Sequence, residues 1–141
     1  MKYWIGVVSK SHVENGKKES ICQVCHGKRG ALKRMRKGDY LLYYSLTVTY
    51  GKKDPYQKFT ALGQLVDEDI YQFDMGGGFI PFRRRIHYFV TQEAPIRPLL
   101  PQLSFIKNKE KWGAVFRYGL LSIPREDFEI IVAAMDWISP L

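Results

Sequence analysis

Ser20-Ile-Cys-Gln-Val-Cys-His-Gly-Lys-Arg-Gly-Ala-Leu-Lys-Arg-Met-Arg-Lys-Gly-Asp-Tyr-Leu-Leu-Tyr-Tyr-Ser45 runs from an apolar, cysteine-containing segment through a basic run into an aromatic strand. Six of the ten residues from Lys28 to Lys37 are basic and none is acidic. Leu32 and Met35 stand three apart within that run, so one apolar edge can dock on a core while the cations face water. Lys37-Gly38-Asp39 reads as a turn, since glycine permits the positive φ such turns often need. Asp39 to Ser45 reads as a strand that Leu46 to Tyr50 continues. Charge beside aromatic faces suits a nucleic acid, whose phosphates meet the cations while its bases stack. A solvated basic loop leading into a core strand is the alternative, and this stretch leaves both open.

Outward toward the N-terminus, Tyr3-Trp-Ile-Gly-Val-Val8 is rich in β-formers and reads as a buried strand. Ser9 can cap a short helix that Gly16 closes. A helix start just after a buried strand offers free N–H groups to an anion or a polar base edge, or is an ordinary cap. Toward the C-terminus, residues 56–66 read as a second long strand, with Gly63 marking a bulge or a close backbone contact. Residues 71–75 carry no clear pattern, and Gly76 to Gly78 form a flexible connector without the spacing of a phosphate loop. Residues 79–90 read as a strand. Alternation puts Phe82, Arg84, Ile86, Tyr88 and Val90 on one face and Arg83, Arg85, His87 and Phe89 on the other. The second face is either an extension of the cationic surface or a solvated exterior. Residues 94–101, rich in proline, predict an extended crossing with one helical turn at most. Pro124 fits a first helical position, followed by Glu126 and Asp127 where the helix dipole favours acids. Phe128, Ile131, Val132, Met135 and Ile138 then follow helical spacing.

With 141 residues and no repeat or linker, a single domain over 1–141 is expected. The net charge of +8 and the 14% aromatic content together favour a nucleic acid over a bare anionic metabolite. No apolar run approaches a membrane span and no signal peptide opens the chain, so a cytoplasmic location is expected. Cys22-Gln-Val-Cys25-His26 matches the c-type haem attachment pattern, and with His12 or His87 it offers zinc ligands. Haem attachment needs export, and structural zinc usually needs a second ligand pair. Reduced, partly buried thiols are therefore the favoured reading, with no metal and no cofactor.

The ordered set Lys2–Ser9, Cys22-Gln-Val-Cys-His-Gly-Lys28, Leu32-x-Arg-Met-x-Lys-Gly-Asp39, Pro81-Phe-Arg-Arg-Arg85, Ser104-Phe-Ile-x-Asn-Lys-x-x-Trp-Gly113, Phe116-Arg-x-Gly119 and Ile123-Pro-x-Glu-Asp-Phe128 resembles an EVE domain over essentially the whole chain. EVE domains belong to the PUA-like superfamily and are similar to YTH domains, the readers of N6-methyladenine. The resemblance implies an α+β fold: a PUA-like curved mixed β-barrel flanked by short helices and a C-terminal amphipathic helix. It implies a non-catalytic module with a pocket for a modified base, such as modified cytosine in DNA or a modified RNA base. DNA or RNA would then be the partner, beside restriction-type or RNA-modification proteins.

Carried over by position, the pocket draws on Ser9 and Lys10. It also draws on Cys22, Gln23 and Val24, which stand where YTH domains place a cage tryptophan. Tyr43 or Tyr44, and Trp112, Gly113 and Arg117, complete it. Trp112 would stack on the base while Ser9 and Gln23 read its edge. Lys28, Arg29, Lys33, Arg34 and Arg36, extended by Arg83 and Arg85, would hold phosphates. Two other functions stay open: a PUA-like RNA-processing enzyme and a binder of a small nucleotide-like ligand. His12, His26 and His87 do not by themselves make a catalytic site.

Overall fold

The computed structural model describes residues 1–138. Its centre is the aromatic strand β3 (Tyr40–Thr47), whose first six residues are all buried. Burial on both faces follows from its place between β1 (Tyr3–Val7), which it pairs in parallel, and β4 (Pro55–Leu65), which it pairs antiparallel. The parallel pairing needs a crossover, and residues 10–33 supply it as α1 (Lys10–Glu19), β2 (Ile21–Cys22) and α2 (Arg29–Lys33). The remaining elements are β5 (Tyr71–Gln72), β6 (Phe82–Tyr88), β7 (Ala94–Pro95), β8 (Leu120–Ile123) and α3 (Arg125–Ala134). The sheet runs β2-β6-β4-β3-β1-β8, with β5 on β6 and β7 on β4. It is a curled, mixed half-barrel flanked by helices, the expected α+β architecture.

Side-chain alternation along β3 divides the interior into two cores. Leu41 and Tyr43 join Trp4, Val13, Cys22, Val24, Leu32, Met35 and Ile86 beneath α1 and α2. Leu42 and Tyr44 join Ile5, Phe59, Phe116, Phe128 and Ile131 beneath α3 and two 3-10 segments, Arg97–Gln102 and Trp112–Tyr118. The docking edge expected within the basic run is present, since Leu32 and Met35 are both buried.

Several local expectations are corrected. Ser9 does cap α1, accepting the His12 N–H, but Gly16 does not close it. A side chain at Gly16 would meet the Ile21 carbonyl, so the helix runs on over β2 and ends at Ser20, which takes the left-handed conformation. The proline-rich crossing makes six residues of 3-10 helix rather than a single turn. Pro124 sits just before α3, and Ile138 lies past its end, exposed. Gly63 marks a close approach as expected: a Cβ there would lie 2.5 Å from Ile86 Cδ1.

The two faces expected for β6 hold along the strand: Phe82, Ile86 and Tyr88 pack in the core beneath α1 and α2, while Arg85 and His87 are exposed on the other side. Arg83, on that second side, is nevertheless buried, and Val90 lies beyond the strand, exposed. Arg84 Nη1 donates to the carbonyls of Leu32 (2.9 Å) and Met35 (2.6 Å), and Nη2 to that of Asp67. The guanidinium thus adds a donor to the end of α2 and to the turn after it, and ties that helix to the sheet.

Candidate nucleic-acid interface

The strongest polar arrangement in the interior joins α1, β2 and β6. Gln23 is 4% exposed and Arg83 3% exposed. With the amide oriented oxygen to guanidinium, Gln23 Oε1 accepts from Arg83 Nη2 at 2.9 Å and Nε at 3.1 Å. The opposite orientation would set N–H against N–H. Arg83 Nη1 also pairs with Glu19 at 3.2 Å. On its other side, the Gln23 backbone carbonyl accepts the Tyr43 hydroxyl at 3.2 Å. Main chain and side chain of Gln23 are therefore both pinned, which fixes the direction its amide faces.

The walls around this fork are apolar and aromatic. The hairpin of β5 and β6, with Gly76 to Gly78 at its tip, folds over it. Phe73 lies 4.1 Å from the Arg83 guanidinium, and Met75 Sδ is 3.7 Å from the Gln23 amide. Phe73 and Met75 cover this fork while keeping about half their own surface exposed. Across from them His12 on α1 meets Tyr43 edge-on, ring centres 6.4 Å apart. Burial holds the His12 imidazole below the ordinary histidine range, and the nearby Arg83 charge acts the same way. The turn at 25–27 packs against the start of β6. Gly27 has φ +75°, and a Cβ there would sit 2.2 Å from Pro81 Cβ, so only glycine fits.

The structure brings together Cys22, Gln23, Val24 and Tyr43 from the expected pocket, while the Ser9 hydroxyl caps α1. Tyr44 points to the opposite core and stacks on Phe116 at 4.3 Å, its hydroxyl buried without a hydrogen-bond partner. Trp112 is half-buried against that same core, with the Arg97 guanidinium 5.4 Å from its ring centre. The alternation of β3 thus separates Trp112 from Gln23; Gly113 and Arg117 are exposed on the Trp112–Tyr118 segment. Lys10 is held by the Tyr56 hydroxyl at 2.9 Å and by Glu93 at 3.7 Å.

Of the cations, Lys28, Arg29, Lys33, Arg34 and Arg36 are exposed. The two β6 arginines are not a continuation of that surface. Arg83 is inside, paired with Glu19, and Arg85 is paired with Asp67 (3.6 Å) and Asp69 (3.8 Å). Cys22 is buried, and burial pushes its thiol up to about 12, which leaves it no thiolate for chemistry. Three members of the cleft escape the sequence reading: His12, Phe73 and Met75. The one available signal is large apolar residues on both sides of a triple glycine, Phe73 and Met75 before it and Phe79 and Ile80 after it.

A family model described as "EVE domain" matches residues 2–134. A UPF0310 protein of Mesorhizobium japonicum is 47% identical over 94% of this chain and 91% of its own length. A UPF0310 protein of Bacillus licheniformis is 45% identical over 90% and 86% respectively. Among solved structures, the MmI1 YTH domain matches with a TM-score of 0.60 at 12% identity, covering 96% of each chain. A Pseudomonas syringae protein matches with a TM-score of 0.60 at 13% identity, covering 93% of this chain and 97% of its own. At these identities the structural matches establish a shared fold.

Proposed function

The chain belongs to the EVE-domain family, and from that premise we propose that it is a non-catalytic nucleic-acid-binding module that reads a modified base at the Gln23–Arg83 cleft. The observation that carries the reading is buried Gln23, its side-chain amide held by the Arg83 fork and its backbone carbonyl by the Tyr43 hydroxyl. A base taken out of its stack needs edge groups held in place, faces to lie against and cations for its flanking phosphates. Gln23 and Ser9 supply the edge, Phe73, Met75 and His12 the faces, and Lys28, Arg29 and Lys33 the phosphate contacts. In this reading Trp112 packs the opposite core and does not touch the base. The YTH likeness adds support at the level of fold.

The test is a binding screen of modified and unmodified nucleosides and short DNA and RNA oligonucleotides. The parent protein is expected to prefer one modified base. Gln23→Ala should erase most of that preference, a change of ~1–3 kcal/mol for a good edge contact, while weaker general binding persists. Trp112→Phe should keep the preference. A parent protein that binds all bases alike would falsify the reading.

A further inference from the structure

A cavity of about 510 Å³ opens where the start of β1 meets the link between α2 and β3, lined by Met1, Lys2, Arg34, Arg36, Lys37, Gly38 and Asp39. Four of these seven residues carry a cationic side chain. The single carboxylate is already engaged: Asp39, 2% exposed, accepts Lys2 N, Trp4 Nε1 and Arg36 N, each at 2.9 Å. Among the described residues none of the four cations forms an ion pair. Two are also held in place before anything binds. Arg34 lies 5.1 Å from the Trp4 ring centre and donates Nη1 to the Leu120 carbonyl at 3.2 Å, while Lys2 Nζ lies 5.7 Å from the same ring.

Four cations lining one hollow against a single carboxylate that is already engaged repel each other, and a bound anion relieves that repulsion. A fork already positioned loses little further freedom on binding. We infer that this cavity is a second binding site, for the dianionic phosphate of a phosphomonoester. A monoester presents three free oxygens to four convergent cations, whereas the diester of a passing strand presents two. The site shares no residue with the Gln23–Arg83 cleft and requires no base, so it stands or falls separately from base reading.

The test is an NMR titration of the amide N–H groups with inorganic phosphate at constant ionic strength. Saturable shifts are expected at Arg36 to Asp39. The double variant Arg36→Gln/Lys37→Gln alters two exposed side chains and should weaken the interaction by at least about tenfold, as expected for lost charge-assisted contacts. Shifts that grow linearly without saturating, or that saturate alike in the variant, overturn the inference. Displacement of phosphate by a 5′-phosphorylated oligonucleotide but not by its 5′-hydroxyl twin assigns the site to strand ends. Displacement by a nucleoside monophosphate alone assigns it to a free nucleotide. Displacement by neither overturns the monoester assignment.

Discussion

Neighbouring tyrosines in β3 show how much one position changes. Tyr43 points into the core beneath α1, where its hydroxyl holds the Gln23 carbonyl. Tyr44 points the other way, and its hydroxyl finds no partner. A buried hydroxyl without a hydrogen bond costs about 1–3 kcal/mol relative to its hydrated state. Tyr44→Phe is therefore expected to be neutral or stabilising by ~1 kcal/mol in chemical denaturation, whereas Tyr43→Phe should destabilise. His12 adds a pH dependence. Its folded pKa lies below the ordinary 6.5, so the unfolded chain takes up the proton first. Stability contributed above 6.5 is then lost as pH falls from there through the lower folded value. Thermal melts from neutral to mildly acidic pH should show this loss, and His12→Gln should flatten that part of the curve.

Among the elements, α2 depends most visibly on a partner far away in sequence. It is five residues long and has no side-chain cap at its start, too short to be stable alone. Leu32 and Met35 dock it, and Arg84 gathers its last carbonyls. Removing the guanidinium would leave the Met35 and Asp67 carbonyls without this donor, so Arg84→Ala should cost at least about 2 kcal/mol in equilibrium unfolding. Arg84→Lys should recover only part of that, because an ammonium cannot span the carbonyls of Leu32, Met35 and Asp67 together. Retention of full stability in the lysine variant would show that the fork geometry does not matter. The same element carries Arg29 and Lys33 toward solvent, so its anchoring also fixes where those cations stand.

For the whole molecule, the net charge of +8 is unevenly placed. Acidic partners hold Arg83 and Arg85 on β6, while the basic run at 28–37 stays open. If Lys28, Arg29 and Lys33 meet phosphates, binding of single strands should weaken with salt by about 0.7 in log–log slope per contact, or about 0.9 for duplex DNA. Replacing Lys28 and Lys33 by Gln should lower affinity for all oligonucleotides about equally and reduce the slope by the two lost contacts. An unchanged slope would remove these residues from the interface.

The long strands β1, β3, β4 and β6, the C-terminal helix and the docking edge of Leu32 and Met35 were legible in the chain, because each rests on neighbours a few residues apart, whereas the short strands β5, β7 and β8 were not. Hydrophobic period, capping groups and turn residues are local quantities, and the ordered motifs pointed to the family over the full length. Which of the arginines at 83–85 are buried was not legible in this way. Alternation sets Arg84 on one face and its neighbours on the other, as the strand shows. Burial of both Arg83 and Arg84 depends on Glu19, Gln23, Leu32, Met35 and Asp67, which arrive from other segments. The division of Tyr43 from Tyr44, the distance of Trp112 from Gln23 and the placing of Phe73 and Met75 over the cleft have the same origin. Each follows from how the sheet curls and which segments meet across it, a long-range outcome that no window of sequence contains.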